Sequence, residues 1–297
     1  MSASQAPDTR PRDAATVVLV RDATRPGGSG VEVFLMRRHA QVGFLGGMHL
    51  FPGGKVDAAD MDPALHAYIQ VEDVAAAPGR LGEDIDVPTA LGLFMTAFRE
   101  TFEESGLIPG APPELEPARL GARAQLAERG FLATLAALDL RLDLDAMEPF
   151  SRWITPTVET RRFDARFFLT EAPPHQEGLA DGSETDRAIW LGAREALTRH
   201  ADGTLALLPP TWMTLQALAE FGSAAEAMAH TRATPTASLQ PELVTGAEGF
   251  TLCFPGDPAH SVPTRALPGP TRLTLRDGRW RGQDALGGAG QGSSTDC

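Results

Sequence analysis

The sequence predicts an α/β fold with a mixed sheet, and three stretches predict it. Ala15 to Val20 is a β-branched run of strand character. Val31 to Arg37 alternates, with Val31, Val33 and Leu35 on one face and Glu32, Phe34 and Met36 on the other, as a second strand does. Thr89 to Leu107 carries the helical period. Leu91, Met95, Phe98 and Phe102 fall on one narrow stripe, and Gly106 supplies a stop.

The remaining elements follow in order. Residues 1–14 read as a disordered arm, polar and without an apolar h-region. Arg25 to Gly30 reads as a Gly-rich turn between the first two strands. Arg37 and Arg38 close the second strand. They are either strand-end solubility or a bidentate grip on substrate phosphate. Gly43 to Gly47 is a loop through which backbone can approach a ligand, and His49 beyond it reads as a half-buried imidazole. Phe51 to Asp60 is a β-like approach, a Pro-Gly-Gly turn, then acids. Residues 61–87 form an insertion rich in Ala, Pro, Gly and Asp, helical near Pro63 to Val71. It is either a lid over the substrate or a surface excursion.

After the long helix, residues 112–150 form a second insertion. Leu115 to Arg129 and Phe131 to Leu138 make a helical pair jointed at Gly130. Phe163 to Thr170 is a strand with aromatic core residues, Pro173 to Thr185 a polar loop, Ala188 to Leu191 a short strand and Arg194 to His200 a short helix. Thr211 to Phe221 and Ala224 to His230 are amphipathic helices expected to pack on the sheet. A main domain over 15–232 is thus followed by a small β extension over 233–282, with a hairpin marked by Asp277-Gly278. Residues 283–297 read as a disordered Gly/Ser tail.

Composition sets bounds. The 297-residue chain is 42% hydrophobic, enough for a sizeable core. A formal net charge of −13 argues against a nucleic acid held through its phosphates and against an anionic membrane surface. A phosphorylated small molecule stays compatible, since a metal ion can carry the local positive charge. Two cysteines, one of them the terminal Cys297, make no disulfide framework, so a cytoplasmic protein is expected. An oligomer is compatible with all of this.

Glu100, Glu103 and Glu104 lie opposite the apolar stripe of the helix. Packed into one turn near a helix C-terminus, they repel one another and oppose the macrodipole. A bound hard cation removes both penalties, and Mg²⁺ takes a few carboxylates plus water and substrate phosphate. Taken alone, an acidic helix face is solvated surface.

The stretch does not stand alone. Gly54, Asp60 and then Arg99-Glu100-Thr101-Phe102-Glu103-Glu104-Ser105-Gly106-Leu107 resemble the Nudix box: Gly, five residues, Glu, seven residues, Arg-Glu-U-x-Glu-Glu-x-Gly-U, with U apolar. The first half departs twice. Asp60 stands for the first Glu, and 38 residues rather than seven separate it from Arg99. Gly43-Phe44-Leu45-Gly46-Gly47 leading into Phe51-Pro52-Gly53-Gly54, with Trp153-Ile154-Thr155-Pro156, Arg161-Arg162-Phe163 and Leu208-Pro209-Pro210, resembles the branch that contains the peroxisomal coenzyme A diphosphatases with an interrupted box.

The resemblance implies the Nudix α/β/α sandwich and a hydrolase that cleaves a diphosphate linkage with Mg²⁺ or Mn²⁺. It implies Glu100, Glu103, Glu104 and Asp60 as metal ligands and Glu103 or Glu104 as the base. Glu184 matches a family loop glutamate near the metals; read by itself it is an exposed loop acid. Arg99 is expected to pair with a carboxylate and fix the helix. Gly53, Gly54, Arg37, Arg38, Arg161 and Arg162 are the substrate-binding candidates. The implied substrate is coenzyme A or an acyl-CoA. ADP-ribose or another nucleoside diphosphate derivative is the alternative, and a non-catalytic ligand sensor a third reading.

Overall fold

The computed structural model describes residues 10–24, 30–41, 45–246 and 249–283. The arm up to residue 9, most of the Arg25–Gly30 turn, Gly43 and Phe44, and the tail from 284 with Cys297 lie outside the described residues. The strands are β1 (Arg12–Asp22), β2 (Val31–Arg38), β3 (His49–Leu50), β4 (Gly53–Lys55), β5 (Ile69–Gln70), β6 (Leu142–Asp143), β7 (Glu148–Ile154), β8 (Phe163–Glu171), β9 (Thr185–Gly192), β10 (Ala237–Leu239), β11 (Glu242–Gly246), β12 (Gly249–Cys253), β13 (Arg272–Arg276) and β14 (Arg279–Gln283). The helices are α1 (Ala77–Leu81), α2 (Val87–Ser105), α3 (Glu116–Arg129), α4 (Phe131–Leu138), α5 (Ala193–Ala201), α6 (Pro209–Leu218) and α7 (Ala224–Ala233).

The main sheet runs β10-β7-β8-β1-β2-β3, with β4 also on β1 and β9 on β2. It is mixed: β1 and β8 are parallel from Arg12↔Phe163 to Val20↔Glu171, and β1 and β2 antiparallel. β1 is central and covered on both faces, which is why Val17, Val18, Leu19 and Val20 form an unbroken apolar run, all fully buried. The expected arm over 1–14 is corrected at its end. Residues 12–14 belong to β1, held there by the parallel partner β8 and by an Asp13–Arg166 ion pair.

Two apolar layers sandwich the sheet. One contains α2, with Val17, Phe34, Phe94, Phe98, Phe102 and Phe168. The other contains α5, α6 and α7, with Val18, Val33, Phe167, Met213, Leu218 and Met228. This is the expected α/β/α sandwich. Asp86 caps α2 by accepting from Thr89 N at 2.8 Å, and Gly106 ends it in the left-handed region at φ 75°. The predicted stripe of α2 is buried, and so are Ala90, Leu93, Phe94 and Ala97 beyond it.

Both insertions explain that wider burial. Leu65, Ile69, Ala77 and Leu81 of the first enter the same core, and β5 pairs with β6 of the second. Glu83 takes a two-pronged bond from Arg166 at 2.9 and 2.6 Å. Through these residues the first insertion packs on α2, and none of residues 61–87 lines the cleft described below. The second insertion is the helical pair α3–α4, and its last residues, from Glu148, already belong to β7. The extension is the antiparallel sheet β11-β12-β13-β14, with the expected hairpin at Asp277-Gly278. Its first strand, β10, joins the main sheet instead. Among the described residues no helix is long and apolar enough to cross a membrane.

Candidate active site

The chemistry gathers where the last turns of α2 meet β4. Gly53 N–H donates to Glu104 Oε2 at 2.9 Å. A side chain at Gly54 would place its Cβ 2.3 Å from Glu100 Oε1, so only glycine lets the strand pass this close to the helix. Arg99 sits underneath. It donates through Nη1 to Glu100 Oε1 and Glu103 Oε2, both at 2.9 Å, and through Nη2 to the Lys55 carbonyl at 3.2 Å. Its other prongs grip Asp60, Nε to Oδ1 at 2.6 Å and Nη2 to Oδ2 at 2.8 Å. This is the helix-fixing role expected of Arg99.

Asp60 stands apart from the three glutamates. Besides Arg99, it accepts from Thr96 Oγ1 at 2.8 Å and from Asp57 N–H at 2.9 Å. Three of these four bonds fall on Oδ2 and one on Oδ1. The residue is 2% exposed and does not line the cleft onto which the glutamates open. Shorter than Glu by one methylene and bonded to Arg99 through both oxygens, Asp60 anchors that arginine away from the cleft lining.

Burial raises the Glu100 carboxyl to about 7, against the pull of Arg99. Burial raises Glu104 to about 8; the Gly53 N–H opposes this, and Glu100, Glu184 and Asp181 add to it. Glu103 is raised for the same first reason. Among the described residues no three acidic, histidine or cysteine side chains converge as a finished metal site; Arg99 holds one oxygen of Glu100 and one of Glu103, and Gly53 holds one of Glu104. The donor set still fits a hard divalent cation. Glu100 Oε2, Glu103 Oε1 and Glu104 Oε1 accept no hydrogen bond among the described residues, and a bound cation would offset the burial that raises these carboxyls.

The C-terminal end of α2 is held by the second insertion. Arg123 donates from Nε to the Glu103 carbonyl at 3.0 Å and from Nη2 to the Glu104 carbonyl at 2.7 Å. Arg119, 1% exposed, bonds the Gly106 carbonyl and is itself held by Glu116. Two guanidiniums thus satisfy the last carbonyls and offset the negative helix end just where the glutamates stand. Nothing in the chain's local pattern signals this, because the arginines sit on a separate helix.

The glutamates open onto a cleft of about 1740 Å³. Glu100, Glu103, Glu104, Gly53, Gly54 and Glu184 line it, as do the basic residues Arg12, Arg38, Lys55, Arg123 and Arg161. Glu184 is more than an isolated loop acid: it stands close enough to Glu104 to raise its carboxyl, and it pairs with Arg38 at 3.2 Å. The other candidate arginines are placed differently. Arg37 is clamped by Asp186 at 2.7 and 2.8 Å, and Arg162 donates to the Thr155 carbonyl at 3.1 Å; neither lines the cleft. Arg12 is absent from the sequence candidates because it falls within the stretch that reads as an arm. His49 is buried, and burial lowers its imidazole to about 4.

Comparison with known proteins agrees with this geometry. The family model described as the NUDT19 Nudix domain matches residues 11–218. The human acyl-coenzyme A diphosphatase NUDT19 is 29% identical, over 86% of this chain and 82% of its own length. The chicken protein of the same name is 27% identical, over 83% and 79%. Among solved structures, a Nudix hydrolase from Alicyclobacillus acidocaldarius is 31% identical with a TM-score of 0.58, covering 77% of this chain and 98% of its own. A match that runs from the first sheet strand through the glutamate-bearing helix to the last turn of α6 makes this chain a member of the Nudix hydrolase family, in its NUDT19 branch.

Proposed function

We propose that the protein is a divalent-metal-dependent diphosphatase whose substrate is coenzyme A or an acyl-CoA. The observation that carries this reading is the continuity of the three-glutamate cluster with one large cleft bearing five basic residues. At about 1740 Å³ the cleft exceeds the range of roughly 300–1,000 Å³ typical of drug-sized ligands. It has room for a nucleotide diphosphate with a long arm. The relatives named above as acyl-coenzyme A diphosphatases support the same substrate.

Glu100, Glu103 and Glu104 would hold Mg²⁺ or Mn²⁺, which supplies Lewis acidity to the diphosphate oxygens and acidifies water. The protein's own residues do the rest. Arg99, anchored by Asp60, fixes one oxygen of Glu100 and one of Glu103, so that the others face the cleft. Gly53 orients Glu104 in the same way. A carboxylate of this trio, Glu103 or Glu104, accepts the proton from the attacking water; Glu184 adjusts Glu104 through space. Arg12, Arg38 and Arg161 receive substrate phosphates.

The test is kcat/KM for coenzyme A against 3′-dephospho-coenzyme A and ADP-ribose, with products identified. Loss of one well-made arginine–phosphate contact lowers the rate roughly ten- to a hundredfold. Equal rates for coenzyme A and its dephospho form, or faster cleavage of ADP-ribose, reject the substrate assignment.

A further inference from the structure

Four of the large apolar side chains left exposed lie on one cleft: Leu120 (43%), Val158 (62%), Phe250 (39%) and Leu275 (37%). Exposed apolar residues scattered singly need no explanation; a set gathered along a cavity that also holds the acidic cluster does.

Two of the four come from the C-terminal sheet, and its register says why. Leu275 is paired with Trp280 across β13 and β14. Thr251 is paired with Thr274 across β12 and β13, which sets Phe250, one step on, beside Leu275. Phe250 and Trp280 meet ring to ring at 6.0 Å. Phe250, Leu275 and Trp280 thus form one apolar row across three strands. On the same face the next row, Leu252 and Leu273, is buried in the main core. The alternate positions carry Thr251 and Thr274, whose hydroxyls bond each other at 3.0 Å. The face toward the cleft is the apolar one.

This wall is fixed in place. Trp153 of β7 meets Phe254, just after β12, edge to face at 5.9 Å. Trp280 N–H donates to His200 Nε2 of α5 at 3.1 Å. Trp153, Phe163 and Phe167 of the main sheet also line the cleft. The basic lining residues named above come from other elements than the small sheet. The cleft therefore has a charged region at the glutamates and an apolar region at the C-terminal sheet.

We propose that the C-terminal four-stranded sheet is the acyl-binding wall of the active-site cleft. The row Phe250, Leu275 and Trp280 receives the acyl chain of a coenzyme A thioester while the diphosphate lies at the glutamates. The assignment rests on the substrate class argued under Proposed function and adds the element that selects among its members.

The experiment uses the full chain with Mg²⁺ and measures kcat/KM for coenzyme A and its butanoyl, octanoyl and dodecanoyl thioesters. The expected result is a rise with chain length, by up to about fourfold for each methylene buried. In Phe250→Ser/Leu275→Ser the ratio of dodecanoyl to butanoyl rates collapses toward one, and in Leu275→Met it stays near the wild-type value. Calorimetry of the same thioesters with metal-free wild-type protein gives an independent reading. The heat-capacity change of binding should grow more negative with chain length. Failure to cleave coenzyme A or any of its thioesters defeats the substrate reading, and this inference with it. Cleavage of coenzyme A with a flat chain-length series, or with an unchanged ratio in the double serine variant, defeats the wall alone.

Discussion

Replacing Asp60 by Ala distinguishes a metal ligand from an anchor, the two roles open to that carboxylate. In the structure it is 2% exposed and accepts two bonds from Arg99, at 2.6 and 2.8 Å, with two more from Thr96 and Asp57. Arg99 is 8% exposed, so removing Asp60 strands a buried guanidinium prong. Breaking a buried pair from one side costs about 3–5 kcal/mol. Arg99 keeps Glu100, Glu103 and the Lys55 carbonyl, which favours the lower half of that range. For a domain of this size each kcal/mol moves Tm by roughly 2–4 °C, so the loss is on the order of 6–16 °C. Thermal unfolding in EDTA reads it without any metal present. Calorimetry of the Mn²⁺ complex reads the other role, with Kd expected to change by less than about tenfold. A normal Tm in EDTA together with a lost Mn²⁺ complex would refute the anchor and return Asp60 to the ligand set.

The other expectations concern the glutamates and their support. Glu103→Gln and Glu104→Gln each lower kcat by at least about 10²-fold while circular dichroism stays native; full turnover in both would place the chemistry elsewhere. Saturating Mg²⁺ or Mn²⁺ raises Tm, by about 2.7 kcal/mol of stability at a hundredfold excess over Kd, and Glu100→Gln/Glu104→Gln together remove the rise. For pH, Glu100 at about 7 and Glu104 at about 8 lie above the ordinary carboxylate value of the unfolded chain. The stability they give the metal-free protein is full below about pH 4.5 and is lost as pH rises through 7 to 8. Urea midpoints in EDTA should show that decline, and the double Gln variant should flatten it. Arg123→Ala, which uncaps two carbonyls of the last turn of α2, should lower kcat more than it raises KM. Arg123→Lys should rescue poorly, since one ammonium does not reproduce the fork to Glu103 and Glu104.

How far the sequence reaches depends on the distance over which each feature is encoded. The helix α2, the pair α3–α4 with its joint at Gly130, and the hairpin at Asp277-Gly278 are set by local period and turn chemistry, and they stand within a few residues of their expected places. The alternation in β2 is equally plain. β7 escapes a reading of pattern because Glu148 to Ile154 follows a helical insertion and looks like its end. Asp60 looks like a metal ligand in the sequence because its partners Thr96 and Arg99 lie more than 30 residues along the chain, and spacing cannot show how many donors a carboxylate meets. The composition of residues 61–87 does not show where the segment packs. Of its apolar positions, Leu65, Ile69, Ala77 and Leu81 enter the core and decide it. Arg37 and Arg38 look interchangeable in sequence, yet alternate faces of one strand end send the first to Asp186 and the second to the cleft.

The parallel pairing of β1 with β8 bears on how this chain is made. The two strands at the centre of the sheet are separated by about 150 residues, including both insertions and the whole of α2. At synthesis rates of about 5–20 residues per second, β8 leaves the ribosome on the order of ten seconds after β1. During that interval Val20 to Asp22 can pair with β2, while the edge of the Val17–Val20 run that faces β8 stays without its partner. Contacts of such long range are slow to form in free refolding as well. Recovery of active protein should therefore be limited by what shields that edge during synthesis, and lowering expression temperature or supplying a holdase should raise yield without altering the stability of the finished enzyme.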